Sequence, residues 1–78
     1  MDYSEILDIL RNILSEMLDA DKDEITGERT FDELGADEID MVELQFAIEE
    51  EFDFEVEEDA YAALTTVDEL VKYILDNI

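Results

Sequence analysis

The sequence predicts an all-α fold: a four-helix bundle with a long loop after the first helix and a short third helix, in one domain covering residues 1–78. Three observations carry this expectation. Apolar residues recur at helical spacing near both ends of the chain. Asp or Thr followed three residues later by an acid opens three segments. No run alternates long enough to pair into a sheet.

The first helix follows from Tyr3, Ile6, Leu7, Leu10, Ile13, Leu14, Met17 and Leu18, which share one face, and from Asp2 and Glu5, which offer a capped start. From Asp19 to Gly35 the pattern lapses into "DADKDEITGERTFDELG". This reads as an ordered connection, with Ile25, Phe31 and Leu34 as anchors onto the core. The second helix begins near Asp37, a favoured N-cap with Asp40 as its partner three residues on, and ends around Phe52. Ile39, Met41, Val42, Leu44, Phe46, Ala47 and Ile48 make it apolar over more than one stripe. Some of these side chains must therefore meet two neighbours or stay partly exposed. "FDFEV" alternates like a strand but has no pairing partner, so it reads as a loop; "EEDAYAAL", with Tyr61 and Leu64, has room for one or two helical turns. The last helix opens with Thr66 and Glu69 in capping-box spacing and places Val67, Leu70, Val71, Ile74 and Ile78 on one face.

A chain of 78 residues is one small domain, burying roughly 60% of the surface that its unfolded form exposes. Its hydrophobic content of 47% separates it from acidic disordered tails. Twenty-six Asp and Glu against four Lys and Arg give a net charge of −22, which repels nucleic acid and anionic membranes and favours basic partners. The absence of Cys and His removes disulfides, thiolate and imidazole chemistry and the usual zinc sets, so no catalytic residues and no metal site are expected. The opening "MDYSEILDIL" has neither the basic flank nor the apolar run of a signal or membrane segment, and a cytoplasmic location is the expectation. Like-charge crowding is also expected to raise carboxylate pKa values, so that mild acidification stabilises the fold.

Asp19, Asp21 and Asp23 sit at the first, third and fifth positions of an EF-hand count. Glu24 then stands where the turn needs glycine, and Thr30 where a bidentate glutamate should close the shell. Loose divalent binding to clustered carboxylates is the stronger expectation.

"LGADEIDMVEL", followed by "FAIEEEFDFEV" and "TTVDELVKYI", resembles the acyl carrier protein family nearly end to end. In that family Asp-Ser-Leu follows Leu-Gly-Ala, and the serine is esterified with 4'-phosphopantetheine from coenzyme A, whose thiol then holds the acyl chain as a thioester. Gly35 and Asp37 match the motif and Ile39 stands at its leucine position, but Glu38 stands at the serine position. A carboxylate has no hydroxyl for the phosphodiester, so no cofactor is expected as written; 4'-phosphopantetheine would be expected only with Ser at 38. Ser4 and Ser15 belong to the first helix, far from the motif.

Two readings of Glu38 stand side by side. A glutamate in the first turn of a helix is favourable with the macrodipole by about 0.3–1 kcal/mol. Alternatively, its charge imitates the phosphodiester of a loaded carrier. The resemblance leaves open whether a natural member lacks the serine or an ordinary carrier has had it changed to glutamate; an acidic adaptor or divalent-ion-binding protein is the reading outside the family. The resemblance implies a non-enzymatic protein of fatty-acid, polyketide or related acyl-transfer metabolism. Its partners would be basic surfaces of acyl-transfer or carrier-modifying enzymes, and a monomer is expected. Asp40, Met41, Val42, Glu43, Phe46, Glu49 and Glu50 are the candidate partner-binding residues, with Phe46 balanced between surface and core. It further implies an acyl pocket among Leu44, Ile48, Phe54, Val56, Leu64 and Ile74. Plain packing is preferred there, with Phe54 large enough to fill the space.

Overall fold

Local side-chain chemistry sets the helix boundaries. In the computed structural model, which describes residues 1–78, α1 spans Tyr3–Leu18, α2 Glu38–Phe52, α3 Glu58–Ala62 and α4 Val67–Asn77, with a 3-10 turn at Lys22–Glu24 inside the first loop. Asp2, Asp37 and Thr66 are N-caps in extended conformation, and each forms the reciprocal box with the acid three residues on. Asp40 fills this role as well as glutamate does elsewhere: its carboxylate accepts from the Asp37 N–H at 3.1 Å, while the Asp37 carboxylate accepts from the Asp40 N–H at 2.8 Å. Helices α1 and α2 stop at Asp19 and Asp53, both left-handed, a conformation that a short polar side chain tolerates.

Fourteen buried side chains form one cluster. Ile6, Leu10 and Leu14 come from α1, Leu44, Ile48 and Phe52 from α2, and Val67, Leu70, Val71 and Ile74 from α4; Tyr61 is the single buried residue of α3. Ile25, Phe31 and Val56 pin the connections, and Leu34 is half-buried against the same core. Two expectations need correction. Ile78, the C-cap of α4, lies past the helix's last buried residue and is half exposed. Phe54 is only partly buried, tilted against Tyr73 with ring centroids 6.1 Å apart, and so does not fill the interior.

The loop after α1 is tied to the start of α4 by main-chain bonds. Val67 and Asp68 donate to the carbonyls of Arg29 and Gly27 at 3.0 and 2.8 Å, Phe31 donates to Thr65 at 3.1 Å, and Thr30 pairs with Thr66 in an isolated antiparallel bridge. Two first-turn donors of α4, which have no partner within the helix, are satisfied in this way. Gly27 permits the approach, because a Cβ there would lie 2.9 Å from the Tyr3 hydroxyl. That hydroxyl donates to Asp68 in a short hydrogen bond.

Asp19 terminates α1, and Asp21 accepts from the Asp23 N–H at 3.2 Å; no group of three or more acidic side chains converges as a metal cage. No helix is long and apolar enough to cross a membrane.

The carboxylates whose titration the fold displaces move down rather than up. The Thr65 hydroxyl and the Thr65 and Thr66 N–H groups hold Glu69 below the usual range, the Thr30 N–H and hydroxyl do so for Glu33, and the Tyr3 hydroxyl and Lys72 for Asp68. Hydrogen bonds donated to the ionised form outweigh like-charge crowding at these three positions, against the rise expected from net charge.

Candidate functional site

The turn that delivers the chain to α2 depends on Gly35. Ala36 donates to the Phe31 carbonyl and Gly35 to that of Asp32, both at 3.0 Å, and Gly35 has φ +86°. This paired closure with a left-handed residue is the Schellman arrangement, where glycine avoids the Cβ penalty. Space around Gly35 is open, so its requirement is conformational rather than steric.

Immediately after this turn Asp37 caps α2 and Glu38 becomes its first residue, exposed to solvent. Glu38 stands on the rim of a cleft of about 1010 Å³ between the Thr30–Asp37 turn, the first turns of α2, and α3 with the residues that follow it. Asp32 and Asp37 join it in the lining, together with Phe31, Met41, Val42, Tyr61 and Leu64. The cleft therefore has carboxylates on one part of its wall and apolar side chains on another.

Tyr61 connects the two helices flanking this space. It is 6% exposed, and its hydroxyl donates to the Met41 carbonyl at 2.6 Å. Burial pushes its phenol pKa well upward, so the group stays neutral and able to donate.

The remaining candidates separate by orientation. Ile39, Val42 and Phe46 are 70, 50 and 61% exposed, placing Phe46 on the surface rather than in the core. Glu43 and Glu50 are exposed beside them, whereas Asp40 is engaged in the cap and Met41 is half-buried. The Glu49 carboxylate accepts from the Val56 N–H at 2.9 Å, holding the turn after α2. No Lys or Arg occurs between Thr30 and Val71, so the surface of α2 and α3 has no cation of its own. Sequence reasoning did not find Thr30, Asp32, Thr65 or the place of Tyr61 in the cleft. The one available signal was a lone aromatic among the alanines of "AYAAL".

A family profile described as a phosphopantetheine attachment site matches residues 8–74, which defines the class as a carrier domain. Relatives include acyl carrier proteins of Caulobacter vibrioides, 47% identical over 74 residues, which are 94% of this chain and 95% of theirs, and of Phenylobacterium zucineum, 45% identical over 76 residues, 96% of each. The chain belongs to the acyl carrier protein family. It is accordingly a carrier-type protein and not an enzyme.

Proposed function

We propose that this protein is a partner-docking acyl carrier protein that does not take up 4'-phosphopantetheine at position 38. The reading is carried by one observation: an exposed carboxylate begins α2 at the rim of the cleft, where the family's motif has its serine. The residues do not fit the group. A phosphodiester needs a hydroxyl oxygen, and Glu38 has none. The threonine hydroxyls that line the cleft, Thr30 and Thr65, donate to Glu33 and Glu69 at 3.2 and 2.7 Å, and Ser15, away on α1, donates to the Ala20 carbonyl at 2.7 Å.

Docking uses the exposed face of α2. Ile39, Val42 and Phe46 supply apolar area within a field set by Glu38, Glu43 and Glu50, and such a face attracts a basic, apolar-centred surface on an acyl-transfer or carrier-modifying enzyme. Charge speeds the encounter, and the uncovered apolar side chains supply contact area. The net charge of −22 disfavours self-association and supports a monomer. The setting is cytoplasmic fatty-acid, polyketide or related acyl-transfer metabolism.

Intact-mass measurement after incubation with coenzyme A and a broad-specificity phosphopantetheinyl transferase tests the reading. The protein as written keeps its mass, and Glu38→Ser gains one pantetheine arm. A gain by the unaltered protein locates the acceptor elsewhere and defeats the proposal; a serine variant that stays unloaded shows that the docking face no longer serves the transferase.

A further inference from the structure

We propose that this protein is a dead-end competitor of carrier loading: it occupies the carrier-docking surface of a phosphopantetheinyl transferase, where the Glu38 carboxylate takes the cationic subsite that otherwise holds the phosphates of coenzyme A. The inference rests on the docking reading above and adds to it a regulatory function and a role for Glu38.

Its ground is a ridge on α2. Side chains four residues apart line up along a helix surface, and Glu38, Val42, Phe46 and Glu50 form one such row, all of them exposed. The row carries a carboxylate at each end and two large apolar side chains between, and at the helical rise it runs for about 18 Å. Ile39 and Glu43 lie on the adjacent row. A complementary surface presents cation, apolar hollow and cation in line, so Glu38 belongs to the same contact as Phe46.

Glu38 is free to make that contact. The cap of α2 is complete without it, since Asp37 and Asp40 accept from each other's N–H groups. Other acids are committed to the backbone: Glu33 accepts from the Thr30 N–H, Glu49 from that of Val56 and Glu69 from that of Thr65. The ion pairs of the chain, Arg11–Asp8, Arg29–Glu33 and Lys72–Asp68, draw on none of the ridge carboxylates. A partner's cations therefore meet Glu38 and Glu50 without displacing a cation of this chain.

A transferase that uses coenzyme A holds its phosphates on cationic groups beside the point where the acceptor hydroxyl arrives. When the ridge docks, Glu38 reaches that point with a negative charge and no hydroxyl. It pairs with the cations that the phosphates use, no group is transferred, and the complex dissociates unchanged. Serine-bearing carriers that need the same surface are loaded more slowly while it is occupied.

The test is the loading of a serine-bearing apo acyl carrier protein by a broad-specificity transferase, followed by the intact masses of both carriers while the unaltered protein and coenzyme A are varied. The unaltered protein keeps its mass and slows loading; excess substrate carrier restores the rate, and the apparent inhibition constant rises with coenzyme A concentration. Glu38→Gln, which is equally without a hydroxyl and leaves the cap in place, inhibits about tenfold more weakly through loss of one charge-assisted contact, and its inhibition no longer depends on coenzyme A. Val42→Ala combined with Phe46→Ala weakens inhibition at every coenzyme A concentration. Equal inhibition by Glu38→Gln, or inhibition by the unaltered protein that coenzyme A does not relieve, overturns the proposal. Loading that is not slowed by an excess of a protein that keeps its mass also overturns it, and leaves the reading of position 38 standing. A gain of mass by the unaltered protein defeats that reading and the inference with it.

Discussion

Helices α1 and α4 place their apolar stripes in the core, whereas α2 leaves three large apolar residues in water. Ile6, Leu10 and Leu14 on one side and Val67, Leu70, Val71 and Ile74 on the other are buried, while Ile39, Val42 and Phe46 on α2 remain at least half exposed. The two outer helices have one polar and one apolar face. Helix α2 has a buried seam at Leu44, Ile48 and Phe52 and a second apolar surface pointing outward. The contrast separates two uses of apolar character: stability for the buried stripes and, on the docking proposed above, recognition for the outer face of α2.

The largest effects should separate these uses. Leu10→Ala or Leu70→Ala removes fully buried volume and is expected to cost about 2–5 kcal/mol in urea unfolding, enough to unfold much of so small a domain. Phe46→Ala should stay within about 0.5 kcal/mol of the parent. A comparable loss for Phe46→Ala would mean that α2 relies on its outer face for stability, and the comparison would collapse.

On the docking side, Glu43→Lys combined with Glu50→Lys should slow association with a basic phosphopantetheinyl transferase by about tenfold at low salt while leaving the dissociation rate nearly unchanged. Stopped-flow binding across a salt series checks this. Rates indifferent to both salt and substitution would leave the apolar patch around Phe46 to act alone.

Smaller effects come from the turns that orient each helix. Gly35→Ala forces a Cβ into a left-handed position and is expected to cost about 1 kcal/mol; Thr66→Ala, which removes the α4 cap, should cost about the same. Loss of the first should disturb amide resonances at Asp37 and Glu38, and loss of the second those around Thr65 and Val67. Thermal melts and amide spectra together distinguish a tilted α2 from a frayed α4.

Titration gives the finest contrast. The folded pKa values of Glu69, Glu33 and Asp68 are depressed, so their stabilisation is complete above the ordinary carboxylate range and is lost as pH falls through it. Glu69→Gln should flatten that acid limb. Tyr61 is displaced upward, so its contribution is complete below its ordinary value of 10.0 and is lost as pH rises beyond it, because the unfolded chain ionises first. Melts from pH 9 to 11 should show a decline that is shallower in Tyr61→Phe; equal slopes would detach this titration from folding.

Much of the fold was legible because it is local. The capping pairs Asp2–Glu5, Asp37–Asp40 and Thr66–Glu69 all form, and α1, α2, α3 and α4 fall where periodicity and caps located them. Part of the cleft's wall was legible for the same reason: Asp37 and Glu38, which line it, follow Gly35 within one turn and one helix start. Phe46 was not, because a helix apolar over two stripes does not declare which stripe faces inward. The bond from Tyr61 to Met41 spans twenty residues, and nothing in either neighbourhood announces it.

By itself the sequence determined the capped helices, the acidic field and the lack of a hydroxyl at position 38, since each depends on residue identity and on neighbours a few positions away. Only the tertiary structure decided that Phe46 faces water, that Phe54 leaves the interior to others and that Tyr61 stands between cleft and core. Those outcomes depend on which surfaces remain uncovered once α1 and α4 have taken their places. That is a competition among distant side chains for one small core, and its result is not encoded at any single position.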